Sequence, residues 1–439
     1  MKNVYVALFC VTSFLICQEA AYAKTAFPPK LFLSANGLAL SSFPSRQTLT
    51  HTIKVDRTRG KTPVTWTAVS NKPWLTVTAS GTTGGTLMVT ATPGQLKQDK
   101  LYLASVAVST NGGDFTDTEN LNVGFWVGST DPSTVTLQQN ALSIATNPVT
   151  PIAYVADASS SILEYNVYSG ELVATLQNVA PTVGAMEVSS DGLTLFAADT
   201  TNYKIIALDA KNGKRIAAYS LGYPINSGFN MVYARPFGQP ALYAAGGPII
   251  AFPSGDTLAS NLPADFIAVT PDGMKLFGVT VGESPGSLYN YSVGRNGDAL
   301  AVEPIGSTRT NDDNCQDLAV SHDGGHVYPA CGAPYEFDVY DGKTLAQVQT
   351  LPANPYPNNI EVDSNDDVVG GINGLYQQDD VYVFDQKGFS LGVVPTTSQS
   401  YEDGQQTAAM KVSGDTTRVI SVTAAVYDSS QTLMFRNLP

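Results

Sequence analysis

The 439-residue sequence has few cysteines, few histidines and few charges. Cys10 and Cys17 fall in an apolar N-terminal run, so only Cys315 and Cys331 of the four cysteines remain for a mature chain. With His322 and His326 they could make up a zinc set, but those histidines sit on a tight turn instead of facing each other across a helix turn, and the cysteines lack the C-x-x-C spacing that lowers a thiol pKa. The three histidines, His51, His322 and His326, leave little for histidine-based acid–base chemistry. No serine-nucleophile elbow, H-E-x-x-H, glycine-rich phosphate loop or C-x-x-C-H motif occurs. With 24 Lys and Arg against 38 Asp and Glu, a net charge of -14, the chain lacks the basic surface that nucleic acid or an anionic membrane requires. After the N-terminal run, no segment is apolar for long enough to span a membrane.

What is present begins with MKNVYVALFCVTSFLICQEAAYAK: a lysine, an apolar run from about Val4 to Cys17, and small residues at Ala21-Tyr22-Ala23. This pattern predicts a cleavable signal peptide over 1–23, and hence a secreted or periplasmic protein with surface attachment left open. Lipidation at Cys17 is disfavoured because Ile16 is not small. In an oxidising compartment, Cys315 and Cys331 are expected to form a disulfide. In CQDLAVSHDGGHVYPAC, Ser321 and Gly325 flank His322-Asp323-Gly324, a three-residue hairpin loop with glycine in the left-handed region. In that register partner numbers add to 646, as 315 and 331 do, which sets the cysteines opposite one another.

The same hairpin recurs. MEVSSDGLTLFAAD (186–199), IAVTPDGMKLFGVT (267–280), IEVDSNDDVVGGIN (360–373) and MKVSGDTTRVISVT (410–423) share it, with looser copies at 142–157 and 231–246. A second hairpin interleaves, turning at Gly170, Gly213, Gly255, Gly297, Gly342 and Gly388. Four strands in each unit of about 44 residues predict an all-β chain ending in a seven-bladed β-propeller over 133–439. Seven first hairpins but six second ones leave the last blade short of a strand, and STVTLQQN (133–140) is the expected donor. The units resemble the YVTN-type propeller repeats of exported, surface-layer-like proteins. Val188 to Asp199, Ile205 to Gly213 and GELVATLQN (170–178) match best, and no WD, kelch or Asp-box signature appears.

Residues 30–128 read as about seven short strands, predicting an immunoglobulin-like β-sandwich joined to the propeller by a linker at 129–132. WTAVSNKPWLTVTASGTTGGTLMVTAT (66–92) resembles the BACON domain, which implies a module of exported, often carbohydrate-associated proteins. Trp66 and Trp74 could stack on sugar or fill the sandwich core, and both readings stand at this stage.

The loops entering each inner strand and leaving each second strand gather at one end of the channel. They carry Asp157, Asp199, Asn230, Asp312, Asp313, Asn314, Asn358, Asn359, Asn373, Tyr401, Glu402 and Asp403, which are candidates for ligand contact. Such oxygens could also hold Ca²⁺, or serve only as turn formers. Asp363-x-Asn365-x-Asp367 resembles the start of a calcium loop but lies at the opposite end, so turn chemistry is expected there. The resulting expectation is an exported, monomeric, non-catalytic binding protein with a protein or carbohydrate partner. The alternative is a metal-dependent lactonase-like or lyase-like enzyme with a carboxylate site on the channel face.

Overall fold

The computed structural model describes residues 27–439 apart from 45–46, 111, 113–114, 226–229, 261, 263, 355, 374–378, 396–402 and 426–430. The expected signal peptide lies outside the described residues. The chain is all-β, and among the described residues no helix is long and apolar enough to cross a membrane.

Alternating apolar residues between 31 and 127 build two sheets. One orders Leu31–Leu33, Leu49–Arg57, Gly85–Ala91 and Leu75–Val77; the other orders Gly37–Ser42, Asp117–Val127, Lys100–Thr110, Thr65–Ser70 and Ser80–Thr82. Their inward side chains, including Ile53, Val89, Trp66, Val106 and Phe125, share one core. Trp66 is buried within it and Trp74 packs against it, so both serve the core reading. LFLSANGLAL (31–40) and WLTVTAS (74–80), each expected as one strand, are broken in two, at Ser34–Asn36 and after Val77, with the halves joining different sheets. Passing from one sheet to the other turns a corner, which a pattern of alternating apolar residues does not reveal.

Seven four-stranded antiparallel sheets follow among the described residues, numbered here 1 to 7 in chain order. Their inner strands are Ser143–Thr146, Val183–Val188, Met231–Ala234, Phe266–Val269, Asp313–Val320, Pro357–Val362 and Asp403–Val412. Consecutive inner strands are neighbours, and the last returns to the first. The outermost strand of sheet 7 is Val135–Gln138, antiparallel to Gln431–Asn437 with Val135 opposite Phe435. Within each of sheets 1 to 6 the two hairpins turn at one end, here the turn face. The second-to-third loop and the exit to the next sheet lie at the other, the loop face.

An inner strand leaves one edge without a strand partner, so its buried N–H groups need other acceptors. Side chains from the preceding sheet supply them. Glu187 accepts from the Tyr233 N–H at 3.1 Å, Asn230 from Ile267 at 3.1 Å, Asp317 from Ile360 at 2.9 Å and Asn359 from Ala409 at 2.8 Å.

Cys315 and Cys331 are disulfide-bonded and stand opposite one another in sheet 5. The register differs from the one expected. Next to the turn Val320 pairs with Val327, and a bulge between Cys315 and Asp317 then shifts the ladder by one residue to bring the cysteines together. Ser321 donates its N–H to the His326 carbonyl, so the loop has one more residue than the sequence suggested.

The first two-sheet unit rests on the turn face of sheets 1 to 4. Arg235 and Glu119 form a buried ion pair at 2.6 Å, the Asn122 amide donates to the Asp191 carbonyl at 3.0 Å, and Ser190 donates to Asn36 at 2.6 Å. Backbones meet so closely that a Cβ on Gly124 would fall 1.7 Å from the Val149 carbonyl oxygen. Phe27 is held between Phe237 and the Arg295 guanidinium, while Phe43 and Trp126 pack on Tyr168.

The seam is locked by Arg418, which is fully buried. Its guanidinium donates to the carbonyls of Val167 in sheet 1 at 3.1 Å, Ser133 ahead of the closing strand at 2.8 Å, and Phe435 at 2.9 Å. Burial pulls its pKa down to about 10, which still leaves it charged at neutral pH. Replacing Arg418 with methionine keeps the bulk and strands these acceptors. Urea unfolding is expected to show a loss on the order of 3 kcal/mol, against no measurable change for the exposed Lys387→Met.

Candidate functional site: the central channel and its loop-face mouth

The inner strands enclose a cavity of about 580 Å³. Its wall is mostly apolar, with Met186, Met231, Phe266 and Ile267 among the lining residues. Into it project four ionisable side chains that sequence reasoning did not single out: Glu187, Asp317, Glu361 and Lys411. Lys411 pairs with Glu361. Burial pushes the Glu187 carboxyl up to about 7 and the Asp317 carboxyl up to about 6, although the Lys411 charge and the backbone N–H bonds pull each back. A signal for them was present. Glu187, Glu361 and Lys411 each stand two residues before the first turn residue, at a place where Ala268 and Ala319 stand in other repeats.

The residues expected at the mouth serve varied ends. Asp157 accepts from the Ser159 N–H at 3.0 Å, and Asp199 takes both the backbone N–H and the amide of Asn202, so each carboxylate organises its own loop. Asn230 and Asn359 are two of the bridges between inner strands, and Asn359 also donates to Asn358 at 2.8 Å. Asp313 is exposed. Asn314 sits beside it in the left-handed region at φ 58°. Asn373 donates its N–H to the Tyr356 carbonyl at 2.8 Å. Tyr401 and Glu402 lie outside the described residues; Asp403 begins the inner strand of sheet 7, and its side chain is likewise outside them.

Asp312 is buried against Asp338. Asp338 already accepts from Gln347 at 2.5 Å and from the Tyr340 hydroxyl at 3.4 Å, whereas neither Asp312 oxygen receives an N–H or O–H. A proton shared between the two carboxyls gives one Asp312 oxygen a partner. Burial and the neighbouring Asp338 charge accordingly hold Asp312 well above the usual carboxylate range.

Among the described residues, no group of three His, Cys, Asp or Glu side chains is placed to hold a metal ion. Asp363 accepts from the N–H groups of Asn365 and Asp367 at 2.8 and 3.0 Å, the turn chemistry expected of it. His322 lies on the turn face, paired with Asp366 at 2.7 Å.

Because Glu187, Asp317 and Asp312 titrate higher in the fold than in the unfolded chain, the folded state holds their protons longer. Their contribution to stability is complete below about pH 4 and is lost as pH rises through 6 to 7 and beyond. Carboxyls held low, such as Asp323 and Asp366, act in the opposite sense only as the solution becomes more acidic than that. The unfolding midpoint in urea is expected to fall between pH 5 and pH 8.5, and Asp312→Asn, which can still donate to Asp338, should flatten the alkaline part of that fall.

No family model matches the chain, and no curated protein matches it. Solved structures do. The β-propeller domain of Cps50 (Swd1) from Myceliophteria thermophila is 12% identical, with 70% of this chain and 100% of that one covered at a TM-score of 0.52. Hydrazine synthase from Kuenenia stuttgartiensis is 15% identical, with 67% of this chain and 95% of that one covered at 0.50. At these identities the likeness speaks for fold alone, and together with the repeated four-stranded sheets it makes the larger part of this chain a β-propeller.

Proposed function

We propose that this protein is an exported, monomeric, non-catalytic binding protein, whose propeller presents its loop face to a protein or glycan. On this reading the seven sheets are seven YVTN-type blades closed by the strand at 135–138, and residues 30–128 are an immunoglobulin-like, BACON-like module. The observation that carries it is the docking of that module. The buried Arg235–Glu119 pair and the Gly124–Val149 contact commit the turn face of sheets 1 to 4 to an internal partner, and among the described residues the module makes no such contact with the loop face. Export is supported by the N-terminal pattern and by a disulfide of the kind that persists in oxidising compartments. A non-catalytic role is favoured over metal-dependent hydrolysis or elimination because Asp157 and Asp199 spend their oxygens on their own loops.

The test is to block one face at a time. A bulky polyethylene glycol is attached through Asp157→Cys on the loop face or Lys387→Cys on the turn face, and binding to isolated envelopes of the producing cells is measured. The loop-face conjugate is expected to lose binding and the turn-face conjugate to keep it. Equal binding by both, or loss on the turn face alone, would overturn the assignment.

A further inference from the structure

Among the described residues four aromatic side chains are at least two-fifths exposed: Phe389, at a hairpin tip of the turn face, and three tyrosines, Tyr203, Tyr335 and Tyr356, which all belong to loops of the loop face. All three also hold left-handed backbone angles, with φ of 56°, 69° and 63°. A residue with a Cβ meets a steric cost there of about 1–2 kcal/mol, which glycine avoids. Eight other non-glycine residues among the described ones share such angles, most of them at turns, so it is the combination of an exposed ring with a strained backbone that marks these three, and strain of this kind can collect where ligands are held.

Two of the three rings form one surface. Tyr335 and Tyr356 are in contact, their centroids 5.8 Å apart and their planes inclined at 53°. Tyr356 lies over Gly332, where an added Cβ would come within 2.8 Å of the ring, and the Asn314 amide is 3.6 Å from the same point. Directly behind are Cys331, which precedes Gly332, and Cys315, which follows Asn314. The disulfide therefore fixes the strand pair that carries the platform.

Polar groups surround the rings. The Asn373 side-chain oxygen is buried beside Tyr356, to whose carbonyl its N–H is bonded, and it has no hydrogen-bond partner among the described residues. Neither phenol hydroxyl has a protein partner among the described residues, and Asp313 is exposed at the edge. Aromatic faces carry negative quadrupole density that attracts the C–H groups of a pyranose ring, while amides and a carboxylate take its hydroxyls. A cage for an alkylammonium ion needs ring faces set apart around the cation, whereas these two rings lean on each other. An anionic chain would meet Asp313 and Glu336, and the nearby Arg309 is already paired with Glu283 at 3.6 Å.

We propose that Tyr335 and Tyr356 form a stacking platform for an uncharged polysaccharide, with Asn314 and Asp313 binding its hydroxyls. This rests on the loop face being the binding face and commits it to one ligand class and one sector of the rim.

The experiment is calorimetric titration of the full mature chain with cellohexaose, xylohexaose, mannohexaose and chitohexaose, with polygalacturonate and tetramethylammonium as comparators. Tyr335→Gly and Tyr356→Gly relieve the backbone while removing the rings, so a purely structural role predicts a lower melting temperature and a binding role does not. The expected result is binding of at least one neutral hexasaccharide at roughly millimolar affinity or better, weakened about tenfold or more by either glycine variant, with unfolding unchanged or shifted upward. Absence of binding by all four hexasaccharides would overturn the platform, as would tighter binding of polygalacturonate or of tetramethylammonium. Hexasaccharide binding that survives both substitutions would overturn the platform while leaving the loop face as the binding face. If face-blocking also fails to separate the two conjugates, the wider reading falls with it.

Discussion

The free edge of the inner strands is the constraint on which the ring depends. Every other strand in sheets 1 to 6 has a neighbour or faces solvent, but the inner strands converge where neither another strand nor bulk water can serve all their N–H groups. Side-chain oxygens reaching across from the preceding sheet resolve this at four of the junctions, through Glu187, Asn230, Asp317 and Asn359. Two of these acceptors are amides and two are carboxyls. The carboxyls bind an N–H more strongly but must be desolvated to do so, and Lys411 is the cation set among them. The polar character of the channel thus follows from the way the ring is held together.

This explains which parts of the molecule were legible in the sequence. Hairpins are local: alternation, a turn of Ser, Asp and Gly, then a second alternating run. The repeat, the missing outer strand and its donor at 133–140 could all be counted from residue order. The pairing of Cys315 with Cys331 was legible too, although a bulge near Gln316 rather than an unbroken register brings them together. What the sequence concealed is direction across the ring. Asn230 and Asn359 read as loop residues and act as bridges, because whether an amide points at solvent or at the next strand depends on how neighbouring sheets are staggered. Glu187 and Asp317 stayed hidden inside strands for the same reason. The exposed tyrosines carry no pattern at all; the joining of an exposed ring to a left-handed backbone is visible only in three dimensions.

The docked module gives the two ends of the channel different fates. Its second sheet lays Gly37, Asn122 and Gly124 against hairpin tips of sheets 1 and 2, and glycine at two of those positions is what lets backbone meet backbone. The loop face keeps the irregular connections, where turn chemistry is confined to some loops, such as those of Asp157 and Asp199, and does not recur at every sheet. Within that face the disulfide stiffens one sector, and the paired tyrosines stand there.

The closing strand also sets the order in which the molecule can be made. Val135–Gln138 is made long before its partner strand Gln431–Asn437; the Gln138 side chain bonds to Thr432, 294 residues later. Contacts so distant along the chain are entropically expensive to form and slow to find. Until they form, sheet 7 lacks its outer strand, and the growing arc exposes the unpaired inner edge of its latest sheet. Closure of the ring is therefore a late event, and a chain cut short before residue 431 would be left as an open arc.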